Sequence, residues 1–84
     1  RALYVAAECW LFDNTPPAGK VRARDEGAWR DDCIEIWIAP QRNGPRYQFI
    51  VNCMNSIYDG VRRGGGNRAT YDPEWRHAVK RSQD

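Results

Sequence analysis

Long apolar runs are absent from this chain of 84 residues. No stretch reaches the about 18 apolar residues that cross a bilayer, so no membrane span is expected. Imidazole and thioether metal ligands are scarce as well: there is one His and one Met. The three Cys fall in no CxxC or other metal spacing, which speaks against a thiolate metal site. Charge of one sign is missing too. Thirteen Lys and Arg stand against 11 Asp and Glu, for a net +2. A polyanion partner needs a strong, clustered basic footprint. The excess here, at Arg62, Arg63, Arg68, Arg76, Lys80 and Arg81, is broken by a glycine run and by acids. A solvated surface explains it, and no nucleic-acid partner is expected. No export leader opens the chain, which begins at Arg1; any such signal is expected to have been removed already.

Aromatic residues are plentiful instead: four Trp, four Tyr and two Phe. The chain is 42% hydrophobic and 29% charged, a globular composition. Periodicity reads as strands rather than helices. Residues 3–12 (LYVAAECWLF) alternate, with Leu3, Val5, Ala7, Cys9 and Leu11 on a uniformly apolar side that predicts a buried strand face. Asp13 to Gly19 contains tandem Pro and reads as a loop running on to Gly27. Loops of that length are often functional. Residues 33–39 (CIEIWIA) are the clearest strand, with Ile34, Ile36 and Ile38 on one side and Cys33, Glu35 and Trp37 on the other.

Asn43-Gly44 marks a tight turn. Residues 47–53 (YQFIVNC) return antiparallel, with an apolar face of Tyr47, Phe49, Val51 and Cys53 and a mixed face of Gln48, Ile50 and Asn52. A short strand is expected at 56–59 and a weak one at 76–81. Residues 62–67 (RRGGGN) are expected to hold no regular structure, because consecutive glycines carry high backbone entropy. Cys9, Cys33 and Cys53 lie in apolar runs and read as buried thiols, one disulfide with a leftover thiol being the open alternative. About five strands fall short of the seven or so of a complete sandwich. The expectation is an all-β, antiparallel sandwich of which residues 1–84 form part, its edges covered by further chain or by a partner.

The chemistry gathers at Trp29-Arg30-Asp31-Asp32-Cys33-Ile34-Glu35 and the strand after it. If Glu35, Gln48 and Asn52 share a sheet face, they form a polar patch beneath an indole at a loop–strand junction. That suits a sugar, whose C–H face stacks on an aromatic ring while its hydroxyls pair with carboxylate and amide groups. The competing reading packs Trp29 over its own loop and pairs Glu35 with an Arg. Catalysis is not expected. His77 has no Ser or Cys partner, and Asp31, Asp32 and Glu35 supply a glycosidase pair only by coincidence. Asp13, Asp25, Asp31, Asp32 and Asp59 are oxygen donors that a structural Ca²⁺ would accept, without any specific spacing. Haem ligation would have only His77 and Met54 to draw on.

The strings LYVAAECW, W-R-D-D-C-I-E-I-W-I-A-P and Y-Q-F-I-V-N-C-M-N-S-I-Y-D resemble the family 9 carbohydrate-binding modules and their DOMON-like relatives over residues 3–60. The resemblance implies a jelly-roll β-sandwich of which this chain is the central part, and structural Ca²⁺. It also implies a non-catalytic role in binding xylan- or glucan-type polysaccharide or sugar ends. Such a module belongs to a larger extracellular or cell-envelope protein and is often appended to a glycoside hydrolase. By the same resemblance Trp29 matches the first of two Trp that sandwich the sugar, Glu35 a hydrogen-bonding acid, and Gln48 and Asn52 polar positions on the next strand. Two positions depart from the pattern. Ile50 stands where relatives can carry Arg, removing a planar donor fork. The second sandwiching Trp belongs to a section this chain lacks, and Trp75 is not in its place. The alternative function is a structural or assembly module on the same fold that has lost sugar binding.

Overall fold

Four strands form one antiparallel meander in the computed structural model, which describes residues 2–11, 15–64, 66–68 and 71–81, with the backbone alone at 67 and 68. They are β1 (Cys33–Ile38), β2 (Arg46–Asn52), β3 (Ile57–Arg63) and β4 (Gly66–Arg68), in the order β1-β2-β3-β4. A 3-10 turn, Ala28–Arg30, is the only helical element among the described residues. The fold class is therefore all-β.

Ile34, Ile36 and Ile38 make β1 a strand, since branched side chains at every second position suit a pleated surface. In the β1–β2 register Glu35 faces Ile50, Trp37 faces Gln48 and Ile36 faces Phe49. The connection is a turn from Gln41 to Gly44, closed by the Gly44 amide on the Gln41 carbonyl. Asn43-Gly44 is thus not the central pair of a mirror-image hairpin turn; among described non-glycine residues only Asp25 and Asn55 have positive φ. Asn55 (φ 63°) closes the tighter β2–β3 turn, in which the Asn52 amide bonds the Ser56 carbonyl. Asn tolerates that left-handed backbone better than most residues.

The glycine run holds structure where none was expected. Arg62 and Arg63 continue β3, Arg63 pairs with Gly66, and Gly64 (φ 61°) enters the turn between them. Glycine's access to positive φ, read as an entropic liability, is what a two-residue hairpin turn requires.

The sheet's two faces are covered by different segments. On the first lie Cys33, Glu35, Trp37, Gln48, Ile50, Asn52 and Tyr58. Residues 15–32 fold over it, and Ala28, Ile50 and Tyr58 form the core cluster there. On the second lie Ile34, Ile36, Ile38, Tyr47, Phe49, Val51, Asp59 and Val61. Residues 71–81 lie extended across it, with Tyr71 on Tyr47 (centroids 5.1 Å) and Trp75 edge-on to Phe49 (5.2 Å).

The expected apolar face of β2 is only half-buried, while Gln48, Ile50 and Asn52 on the mixed face are buried, Ile50 and Asn52 to 1% exposure. The reason is the path of residues 15–32, which covers Ile50 and carries polar partners for Asn52, while Glu35 of β1 accepts from Gln48.

Two expected strands are not ladder strands. Residues 76–81 belong to the extended cover and join no ladder among the described residues. Residues 2–11 also lack ladder partners among the described residues, and their apolar side chains are exposed, Leu3 to 73% and Trp10 to 77%. Alternation marks a segment able to join a sheet, yet a ladder also needs a neighbour within reach. Phe12 and Asp13 lie outside the described residues. The Cys reading changes as well: Cys9 and Cys33 are exposed, Cys53 is half-buried, and all three are free thiols.

Candidate functional site

Glu35 is the centre of the polar patch. Its Oε1 accepts from the Gln48 side-chain amide (2.6 Å) and from the Trp37 indole N–H (2.7 Å). These contacts follow from register, because Trp37 and Gln48 are opposite each other and Glu35 is two residues away on the same face. No described residue donates to Glu35 Oε2, and the side chain is exposed. Among the described residues, Glu35 pairs with no Arg.

Trp29 sits in the 3-10 turn with 49% of its surface exposed. Gly27, with φ 113°, allows the sharp entry into that turn. The indole stands edge-on to Tyr58 at 5.2 Å, and Tyr58 shares a rung with Ile50 and Glu35. Burial and the nearby Asp25, Asp59 and Glu35 carboxylates push the Tyr58 hydroxyl above its ordinary pKa, so it stays a neutral donor.

The structure brings together Trp29, Glu35 and Gln48, and places Asn52 on the same face with a different task. Asn52 Nδ2 donates to the Lys20 carbonyl and to Asp31 Oδ2, both at 2.8 Å. Its Oδ1 accepts from the amides of Met54 (3.0 Å) and Ser56 (2.8 Å). All four hydrogen-bonding positions of the amide are filled, which fastens the loop to the β2–β3 turn. Arg22 completes the fastening with a fork on Asp31, Nε at 2.7 Å and Nη2 at 2.9 Å. That fork, with the Asn52 amide, holds the Asp31 carboxyl well below the usual carboxylate range. Asp32 accepts from the Ala18 amide at 2.8 Å, so the two neighbouring acids are structural.

Sequence reasoning left Trp37 out of the polar patch. The side chain is 43% exposed and bonded to Glu35. The available signal was its parity with Glu35 and Gln48. It also missed Asp72, which joins the candidate oxygen donors Asp25 and Asp59, the ligand oxygens of the three lying within 4.8 Å of one another. Asp59 is fully buried and takes bonds from Arg24 Nη2 and Nε and from the Trp75 indole (2.8 Å). Burial alone would push its carboxyl up, but Arg24, Trp75 and Asp72 hold it below its ordinary value. Asp25 goes the other way, to about 6, through burial and the nearby Asp59 and Asp72.

An oxygen-only set of this kind suits a hard cation such as Ca²⁺. Arg24, however, already bridges Asp59 and Asp72. The residues therefore fit a cation only at the expense of those ion pairs. Of the acids considered for Ca²⁺ from the sequence, Asp25 and Asp59 meet, and Asp31 and Asp32 do not join them.

Local burial and the Glu35, Asp31 and Asp32 carboxylates push the Cys33 thiol up, away from a reactive thiolate. His77 bonds Asn55 through Nδ1 at 2.7 Å and lies against Trp75. No helix of the described chain is long and apolar enough to cross a membrane. Set against family models, curated proteins and solved structures, the chain matches none of them.

Proposed function

We propose that this chain is the ligand-binding part of a non-catalytic carbohydrate-binding module, built on a β-sandwich and serving a larger extracellular or cell-envelope protein. The observation that carries the reading is the Glu35 carboxylate. Gln48 and Trp37 orient it through Oε1 and leave Oε2 open as an acceptor beside exposed indole surface. A preorganised acid next to flat aromatic rings matches the two sides of a pyranose, its hydroxyls and its C–H face. Trp29 and Trp37 supply the stacking surface, Glu35 and Gln48 the polar contacts, and Asn52 the fastening of the loop that carries Trp29. Xylan- and glucan-type chains are the ligands the resemblance favours.

Titration with soluble xylo- and gluco-oligosaccharides, followed by Trp fluorescence, tests the reading. Binding is expected to weaken at least about tenfold in Trp29→Ala and in Glu35→Gln, the loss of a stacked ring or a charged hydrogen bond being worth about 1.4 kcal/mol or more. Absence of any sugar-induced change in the unmodified chain would sink it.

One observation favours the assembly reading instead. Residues 2–11 keep a strand-like alternation with Leu3, Val5 and Leu11 exposed, and β1 is an unpaired sheet edge. An edge strand is a ready template for another chain. Sedimentation over a concentration series separates the two: the assembly reading requires association, the sugar reading does not.

A further inference from the structure

The geometry points to a second subsite on the same face, two rungs beyond Glu35, that takes an anionic sugar residue through Arg46 and Arg62. The inference rests on the sugar-binding reading and names its ligand class, an acidic rather than a neutral saccharide.

Trp37, Ala39, Arg46 and Arg62 line an open hollow of about 460 Å³. The register explains why these four meet. Ile38 faces Tyr47, which sets Ala39 against Arg46 at the end of the hairpin. Arg46 in turn faces Arg62 across β2 and β3. Trp37 lies two residues back along β1, about 7 Å away, on the same side of the pleat. Gly60, opposite Gln48, adds no side chain to the rung between.

Two like charges set directly opposite each other destabilise a sheet. Two arginines of the folded loop are matched by acids: Arg22 forks Asp31, and Arg24 holds Asp59 and Asp72. Arg46 and Arg62 are exposed, and neither makes an ion pair or side-chain hydrogen bond among the described residues. Folding gains nothing from placing them together. A carboxylate or sulfate between them would relieve the repulsion and accept charge-assisted bonds from two guanidinium forks. With Trp37 forming the wall toward Glu35, a saccharide lying along the face would set a neutral ring at Glu35 and an acidic one at the arginine pair.

The test uses the full chain and three oligosaccharides of equal length: a neutral xylo-oligosaccharide, one bearing a uronic acid, and one bearing a sulfate. Inorganic sulfate serves as the anion alone. At low ionic strength an acidic oligosaccharide is expected to bind about tenfold tighter than the neutral one, read by Trp fluorescence. That advantage should shrink below about twofold in roughly 0.5 M salt, where exposed charges are screened. It should also vanish in Arg46→Gln/Arg62→Gln, which keeps its affinity for the neutral sugar. A preference for either acid supports the subsite and identifies the anion. Equal affinity for acidic and neutral sugars overturns the subsite alone, and so does a preference that survives the double substitution. Inorganic sulfate binding as tightly as the acidic oligosaccharides overturns it as well, leaving a simple anion site. If no oligosaccharide of any kind binds, the sugar reading falls and the subsite with it.

Discussion

The two faces of the sheet are covered in different ways. On the first, residues 15–32 are tied down by directed polar contacts: the Asn52 amide, the Arg22–Asp31 fork, and the Arg22 amide on Ser56 Oγ at 2.8 Å. On the second, residues 71–81 lie by aromatic contact, Tyr71 on Tyr47 and Trp75 on Phe49, with polar ties from Trp75 to Asp59, from Arg24 to the Pro73 carbonyl and between His77 and Asn55. Hydrogen bonds demand particular partners, whereas ring contacts tolerate exchange. The polar face thereby gains a rigid frame, and it is the face that carries Glu35 and the exposed indoles. Directed contacts beneath a site hold its groups in place before any ligand arrives.

The strongest way to break this contrast is at Asn52. Asn52→Ala strips partners from buried groups on three segments and is expected to cost about 4 kcal/mol, at about 1–3 kcal/mol for each group left unsatisfied. Its neighbour on the other face, Val51→Ala, should cost only about 1–2 kcal/mol, since Val51 is half-buried. Denaturant unfolding of the pair measures the difference, and equal losses would remove the distinction between the faces.

Proton titration sharpens it next. Asp25 binds its proton more tightly folded than unfolded, so its contribution favours the fold fully below about pH 4 and is lost as pH rises through about 6. Asp31 and Asp59 are held low, so their contributions are present above about pH 4 and are lost as pH falls further. Stability should therefore peak near pH 4 and fall as pH rises from about 4 to about 6. Asp25→Asn should flatten that descent, by on the order of 2 kcal/mol. Thermal melts across pH 3–8 check this, and an unchanged upper flank in the variant would count against the assignment to Asp25.

A smaller effect is expected at the second cover. Trp75→Phe keeps a ring against Phe49 but removes the indole donor to Asp59. The expected loss is about 1–2 kcal/mol, and the acid limb of the stability curve should move to higher pH as Asp59 becomes easier to protonate. The smallest effect on folding belongs to the site itself. Glu35→Gln and Trp37→Phe alter exposed groups and should change stability by no more than about 0.5 kcal/mol, while sugar affinity falls. A large loss of stability in either would make them framework rather than site.

The β1–β2 hairpin was legible because Ile34, Ile36 and Ile38 leave little choice of period. The same alternation placed Glu35 and Gln48 on one face, where they bond. It failed at residues 3–12, whose pattern is as regular but which find no ladder partner among the described residues. It also failed at Gly64 and Gly66, where a local entropic argument met a hairpin pairing that local reasoning does not contain. Asn52 was found as a polar residue of the right parity, but its four partners lie on separate segments and only contact reveals them. The acids Asp25, Asp59 and Asp72 come from positions up to 47 apart, a distance over which no spacing rule operates.

Strand period and side-chain parity are decided locally, by branching at Cβ and the twofold repeat of the extended chain, and the amino-acid sequence alone determined them here. Which face of β2 would be buried was decided by the tertiary structure. An alternating strand offers both faces, and the outcome depends on where a segment tens of residues away can satisfy its hydrogen bonds. In this protein that segment settled on the Asn52 amide and the Ile50 side chain rather than on the rings of Tyr47 and Phe49.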